Sequence, residues 1–174
     1  MNETIKTMLA RKSCRSFKKE QITDDELKTV VEAGLAAPSG RNLQPTLIIA
    51  VQDPETIAKL SKINAAVMDS DSDPFYGAPT VVVVLAKKSS RTSLEDGSLV
   101  LGNMLLAAYS IGLGSCWIHR AKQTFETEEG KKLLKEWGIE DDDVYGVGNC
   151  ILGYPDGELH PDFEKKAERA IIVK

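Results

Sequence analysis

The sequence predicts a single α+β domain over residues 1–174, and three observations support this fold class. Helical segments and short apolar strands follow one another without the regular β-α-β alternation of a parallel sheet. No G-x-G-x-x-G sequence follows a strand and no Walker A sequence occurs, which disfavours the Rossmann and P-loop classes. A chain of 174 residues with 42% hydrophobic residues is large enough to bury one substantial core.

The first half of the chain predicts three helices and one strand. Thr23 and Glu26 have the spacing of a capping box, which starts a helix. That helix ends at Ala37-Pro38, because the residue before a proline disfavours helical geometry. Its predicted buried face carries Leu27, Val30, Val31, Gly34 and Leu35. The elements predicted in this half are helices over 2–10, 23–36 and 53–63 and a strand over 47–51.

The second half predicts strands over 79–86, 115–118 and 144–152 and helices over 94–111 and 127–137. Residues 79–86 are a β-branched run, typical of a strand buried on both faces. The helix over 94–111 is the most apolar and has interleaved small residues, which indicates a central position or an interface. Residues 171–173 are a short β-like end with no neighbouring strand in sequence. The tail from about residue 154 is therefore expected to dock elsewhere, on a partner subunit.

Charge and cysteine content limit the class of partner and the compartment. The net charge of −4 argues against nucleic acid. Three cysteines without C-x-x-C spacing fit a reducing compartment. No signal peptide is evident, and the longest apolar run, 81–86, is too short to span a membrane, so a cytoplasmic protein is expected. No metal site is expected, since His119 and His160 have no further ligands in a motif.

The most informative segment is RKSCRSF at residues 11–17. If it is extended, Arg11, Ser13 and Arg15 point the same way and converge on one small anion, such as a phosphate. The alternative is a solvated basic patch with a capping role, and the residues alone leave both open. Cys14 beside these cations is a weaker candidate, as a thiol of lowered pKa.

Two further segments carry polar or flat surfaces suited to a ring. In APSGRNLQP at 37–45, Asn42 and Gln44 offer donor and acceptor pairs to a heterocycle, although a tight connector would use the same residues. In GLGSCWIHR at 112–120, a flat ring could lie against the backbone, although Trp117 and Cys116 equally suit a packed core.

The pair Lys165-Lys166 is a fourth candidate. It would either add to the anion site of the basic segment or remain a solvated charge pair.

Taken together and in order, these segments resemble the nitroreductase family of flavin enzymes over nearly the whole chain. The motifs that carry the resemblance are RKSCRSF, APSGRNLQP, PFYGAPTVVVV, GSLVLGNMLLAAYSIGLGSCWI, GVGNCILGYP and the late basic pair. The resemblance implies a central mixed, mainly antiparallel sheet flanked by helices. It also implies an intertwined homodimer with FMN bound at the subunit interface.

The resemblance also implies roles for particular residues. Arg11, Lys12, Ser13 and Arg15 would hold the flavin phosphate and ribityl chain, with added grip from Lys165 and Lys166. Pro38, Ser39, Gly40 and Asn42, with Gln44 close by, would reach the flavin ring of the other subunit. Trp117, Ile118 and His119 would lie along the reactive edge of the ring, where many relatives have glycine at the position of His119.

The function implied is that of an FMN-dependent oxidoreductase. It would take a hydride from NAD(P)H and reduce a small flat acceptor, nitroaromatic or quinone-like, by a ping-pong mechanism. Because FMN itself carries the hydride, no catalytic side chain is expected. Two alternatives stay open: another flavoenzyme of this fold, dehalogenase-like or flavin-fragmenting, or a non-enzymatic flavin-binding redox module.

Overall fold

Four strands form one sheet in the order β1-β2-β4-β3, and each neighbouring pair is antiparallel. The computed structural model describes residues 1–157, 159, 166 and 169–174. The strands are β1 (Thr46–Val51), β2 (Thr80–Lys87), β3 (Gly114–Ile118) and β4 (Val144–Gly153). The predicted α+β class with a mainly antiparallel sheet is confirmed, and no parallel pair occurs among the strands of the described ranges.

Six helices flank the sheet within the described ranges. They are α1 (Glu3–Ala10), α2 (Asp24–Leu35), α3 (Pro54–Val67), α4 (Ser93–Ser110), α5 (Ala121–Glu126) and α6 (Glu128–Glu136). The predicted capping box is confirmed, because Thr23 and Glu26 exchange hydrogen bonds of 2.8 and 3.2 Å. Helix α3 runs to Val67, beyond the predicted end, and α5 is not predicted, because its single short stretch has no amphipathic period to recognise.

The core lies on both faces of the sheet, with β2 at its centre. Val81, Val83 and Leu85 pack on one face, with side chains from α3, α5 and α6. The intervening residues Val82 and Val84 pack on the other face, with side chains from α2 and α4. Every β2 residue except Lys87 is buried, so the prediction of a strand buried on both sides is confirmed.

Some predicted apolar positions lie at the surface instead. Leu35, expected on the buried face of α2, is 62% exposed. It is the last residue of the helix, and no neighbouring element of the described chain covers it.

Residues 171–173, expected to be β-like, form no strand in this chain and are exposed. Of the late basic pair, Lys166 is exposed and Lys165 lies outside the described residues. No helix in the described ranges has both the length and the hydropathy of a membrane span.

Candidate functional site

The basic segment 11–17 is fixed by its backbone beside the ends of β3 and β4. The Cys14 N–H donates to the Ser115 carbonyl at 2.8 Å, and Phe17 forms an isolated β-bridge with Pro155. Cys14 packs so closely on Gly114 that a Cβ there would lie 2.7 Å from the Cys14 Sγ. A residue with a side chain at position 114 would therefore push the segment away from the sheet.

Two of the predicted anion-binding residues share a small cleft. Ser13 and Arg15 line a cavity of about 150 Å³, together with Cys14, Ser16, Asp156, Gly157 and Leu159. The Arg15 guanidinium lies over the Tyr76 ring, 6.0 Å from its centre, which gives that cation one fixed contact. The cleft contains both hydroxyl and guanidinium donors, but it also contains the Asp156 carboxylate.

Arg11 forms the C-cap of α1, and its backbone N–H donates to the Thr7 carbonyl. It is not part of the lining of this cleft, so the cleft itself brings together Ser13 and Arg15, and the convergence of Arg11 with them stays a prediction. The Arg11 Nη1 atom is buried and has no hydrogen-bond partner among the described residues. A buried guanidinium N–H without an acceptor is energetically costly. This donor therefore calls for an acceptor that the described residues do not supply.

The thiols near this segment are buried, and their pKa values are raised. Burial raises the pKa of Cys14 above its ordinary value, and a hydrogen bond to the Ser16 carbonyl opposes this only in part. Burial also raises the pKa of Cys150, although the charge of Arg11 acts in the opposite direction. The alternative of a lowered-pKa thiol at Cys14 is therefore wrong.

The segment 38–44 is held against the start of α4. The Gly40 N–H donates to Asp96 Oδ1 at 2.9 Å, and the Thr92 hydroxyl donates to Asp96 Oδ2 at 2.9 Å. Asp96 is only 3% exposed, so its carboxylate is a buried acceptor dedicated to this loop. The sequence analysis missed Asp96. An acidic residue four positions after a threonine, at the start of the most apolar helix, was the available signal.

The same loop presents its polar side chains outward from a strained backbone. Arg41, Asn42 and Gln44 have φ values of 53°, 56° and 48°, in the left-handed region that non-glycine residues rarely adopt. Ser39 Oγ accepts from the Gln44 N–H at 2.9 Å, and the Gln44 amide donates to Asn42 Oδ1 at 3.0 Å. Pro38, Asn42 and Gln44 are exposed, while Ser39 and Gly40 are half-buried. The turn is thus satisfied internally, and it still leaves an amide donor and an amide acceptor facing outward.

The third predicted segment lies at the end of β3. Trp117 packs over Gly148, where a Cβ would lie 2.5 Å from the indole nitrogen, and Ile118 is buried. The exposed His119 is held through its backbone. Its carbonyl accepts from the Asn64 amide at 3.0 Å, and that amide also lies 3.2 Å from the Thr124 hydroxyl. Asn64 was missed, although its spacing of four from Leu60 places a polar residue on the buried face of α3.

The structure thus forms two separate groups from the predicted residues. The basic segment lies along β3 and the 154–157 stretch, whereas the 38–44 loop is anchored on α4. Asn42, Gln44 and His119 are exposed at the surface of this chain. Lys12 is half-buried in the basic segment.

Comparisons with known proteins agree with this architecture. The model of the nitroreductase family matches residues 8–154. A relative from Archaeoglobus fulgidus, whose name pairs NADH dehydrogenase with NAD(P)H nitroreductase, is 31% identical over 97% of this chain and 94% of its own length. The NADPH-flavin oxidoreductase of Vibrio harveyi is 29% identical over 99% of this chain and 73% of its own.

A crystal structure of a nitroreductase from Bacteroides fragilis, with bound FMN, superposes with a TM-score of 0.92. It is 30% identical, and the match covers 100% of both chains. The protein described here therefore belongs to the nitroreductase family, as its motifs predict.

Proposed function

We propose that this protein is an FMN-dependent oxidoreductase that takes a hydride from NAD(P)H and reduces a small flat acceptor, nitroaromatic or quinone-like. The observation that carries the proposal is the buried Arg11 Nη1 atom without a partner among the described residues, close to the donors of Ser13 and Arg15 along the chain. A phosphate offers oxygens that accept charge-assisted hydrogen bonds from guanidinium groups. The residues present therefore fit the phosphate of FMN.

Roles follow for the other predicted residues. Arg11, Lys12, Ser13 and Arg15 bind the phosphate and ribityl chain, and Lys165 and Lys166 add positive charge to that site. Trp117, Ile118 and His119 support the reactive edge of the ring. FMN, when bound, supplies the hydride chemistry, so the chain needs no acid or base of its own. One site that serves reductant and acceptor in turn gives ping-pong kinetics.

The protein interior fixes the position of the His119 backbone. The Asn64 amide fixes the His119 carbonyl from a fully buried position. A backbone held at this point would give the neighbouring N–H groups a fixed position from which to orient a ring edge.

A homodimer is the second part of the proposal. Large apolar side chains are exposed on three helices and on the 38–44 loop: Met8, Leu9, Leu35, Leu43, Leu94 and Leu99. A second subunit that packs on these helices and on this loop would cover these side chains. The loop 38–44 then reaches the flavin of the partner with Pro38, Ser39, Gly40, Asn42 and Gln44. The exposed Ile171, Ile172 and Val173 dock on the partner in the same assembly.

A cytoplasmic location completes the proposal. Cys14, Cys116 and Cys150 are all free and buried. Thiols kept in this state suit a reducing compartment.

Direct measurements test the cofactor. Purified protein should show flavin absorption, and anaerobic NADH or NADPH should bleach it. Arg11→Ala and Arg15→Ala should each weaken FMN by about tenfold or more, since a hydrogen bond to a charged group contributes about 1.5–3 kcal/mol. Arg91→Ala, which removes an exposed cation outside the basic segment, is the matched control.

Colourless protein that FMN does not reconstitute would remove the cofactor from the proposal. Unchanged FMN affinity in both arginine variants would place the phosphate elsewhere. Light scattering after size-exclusion chromatography tests the dimer, and a mass of one subunit at micromolar concentration would contradict it. Initial rates at varied reductant and acceptor should give parallel double-reciprocal lines.

A further inference from the structure

A cavity of about 610 Å³ begins at His119, where the β3 segment ends. It is enclosed by the first turn of α4, the start of β4 and the α5 helix. The hydroxyl groups of Tyr145 and Ser93, both in its lining, form a hydrogen bond of 3.0 Å. Its volume lies in the range of sites that hold a small molecule. The anion-binding segment 11–17 contributes nothing to its lining among the described residues.

The charge of this cavity is opposite to that of the chain. Lys88, Arg120 and Lys122 line it with a single carboxylate, Glu126, so three cations and one anion give a net charge of +2. The whole chain has a net charge of −4. A local field of reversed sign at a concave surface raises the concentration of anions there.

The three cations differ in whether the described chain supplies them with hydrogen-bond or ion-pair partners. The Lys88 ammonium donates to the Asp142 carbonyl at 2.5 Å. Lys122 is exposed, and neither it nor Arg120 takes part in an ion pair within the described ranges. The Arg120 Nε atom is buried and has no hydrogen-bond partner among those residues.

Arg120 also has an unusual backbone. Its φ of 71° is in the left-handed region, which costs about 1 kcal/mol or more for a residue with a side chain. Glycine would take this conformation without strain. A strained arginine in the lining of a cavity, with a buried nitrogen that has no partner among the described residues, indicates that the guanidinium serves a ligand.

We propose that this cavity selects, through Arg120 and Lys122, molecules that carry an anionic oxygen group, a carboxylate or a phosphate, next to the part that meets the flavin. The inference rests on the proposed function for the identity of the flavin edge at His119. The carboxylate would belong to the acceptor, whereas the phosphate would belong to the nucleotide reductant. Arginine suits both, since its planar fork matches either group.

Equilibrium binding to the FMN-loaded protein tests this without turnover. The probes for calorimetric titration are benzoate against benzamide, and adenosine 2′-phosphate against adenosine. The anionic member of at least one pair should bind about tenfold more tightly, and this advantage should shrink with added salt. Lys122→Gln, Arg120→Gln and Arg120→Gly should each remove most of it and leave the neutral probe unchanged.

The variants control for folding and for general charge. Arg120→Gly relieves the left-handed backbone, so it remains informative if Arg120→Gln misfolds. Lys132→Gln makes the same chemical change as Lys122→Gln at an exposed lysine on α6, outside the cavity, and should have no effect.

The outcomes show whether the anionic group belongs to the acceptor or to NADPH. They also distinguish a failure of this inference from a failure of the proposed function. Loss of the benzoate advantage assigns the cavity to an anionic acceptor, and kcat/KM for 4-nitrobenzoate should then fall about tenfold while that for 4-nitrobenzamide is kept. Loss of the adenosine 2′-phosphate advantage assigns it to NADPH. Equal binding of charged and neutral probes, or equal losses for both, overturns the inference. Protein that binds FMN and turns over but shows no charge preference refutes this inference alone, whereas protein without FMN refutes the proposed function.

Discussion

The buried Asn64 amide donates a 3.0 Å hydrogen bond to the His119 carbonyl, which joins the middle of the sequence to the end of β3 across 55 residues. The same amide lies 3.2 Å from the Thr124 hydroxyl on α5. One side chain therefore ties α3, the end of β3 and α5 together at the point where the proposed flavin edge meets the cation-lined cavity.

Asn64→Ala should lower the free energy of unfolding by about 1–3 kcal/mol, because the His119 carbonyl and the buried Thr124 hydroxyl both lose their donor. It should also shift the visible absorption of bound flavin, since the backbone at His119 is freed. Thr124→Val keeps the shape and removes only the hydroxyl, so it should destabilise without that spectral shift. An unchanged flavin spectrum in Asn64→Ala would show that the amide has a purely structural role.

Gly40→Ala should displace the 38–44 loop from α4. A Cβ at position 40 would lie 2.3 Å from the Thr92 Oγ1, and the loop is held there by the Asp96 carboxylate. We expect a loss of about 1–3 kcal/mol in unfolding free energy and weaker FMN binding. The penalty should be smaller in a Thr92→Ala background, measured as a double-mutant cycle by urea unfolding. Strict additivity of the two changes would exclude the clash as the cause.

Gly146→Ala and Gly148→Ala should differ because their neighbours differ. A Cβ at Gly146 would lie 2.4 Å from the backbone carbonyl of Ala121, whereas one at Gly148 would meet the side chains of Trp117 and Leu101. Backbone cannot move aside without shifting α5, so Gly146→Ala should be the more destabilising, by about 1–3 kcal/mol or more relative to the wild type. Thermal unfolding of both variants checks the order. The reverse order would mean that α5 shifts more readily than the indole of Trp117.

Tyr154→Phe should reduce stability in a pH-dependent way. The Tyr154 hydroxyl donates to Glu26 Oε2 at 2.7 Å. The Thr23 N–H and then this hydroxyl lower the pKa of Glu26, while the carboxylate raises the pKa of Tyr154. A carboxyl group whose pKa is lowered on folding stabilises the fold at pH values above its ordinary pKa. That stabilisation is lost as the pH falls through the pKa of the group in the folded state.

At pH 7 we therefore expect Tyr154→Phe to be slightly less stable than the wild type, because the pair is partly exposed, and to match the wild type at an acidic pH below the folded-state pKa of Glu26. Tyr145→Phe is the control, since its 3.0 Å partner is the neutral Ser93 hydroxyl. Its loss should not vary over this range. Urea titrations at both pH values make the comparison, and a constant loss for Tyr154→Phe would contradict the charge-assisted bond.

Interactions between residues close in sequence explain which elements could be predicted. The Thr23–Glu26 capping box and the buried run of β2 depend on residues adjacent in sequence, and both are as predicted. Helix α5 was missed because its six residues have no period, and its position depends on contact with Gly146 in β4. The exposure of Leu35 was missed for a related reason, since periodicity shows which face is apolar and not whether another element covers its end.

The sequence by itself determined the α+β class, the order of the elements other than α5, and the family, and it indicated the segments proposed for the site, because these depend on short-range patterns and on motifs. Only the tertiary structure decided that Asn64 holds His119 and that Asp96 holds Gly40. It also decided that Lys88, Arg120 and Lys122 surround one cavity. Those relationships join residues that the chain separates widely, and only the packing of helices on the sheet brings them within hydrogen-bonding or electrostatic range.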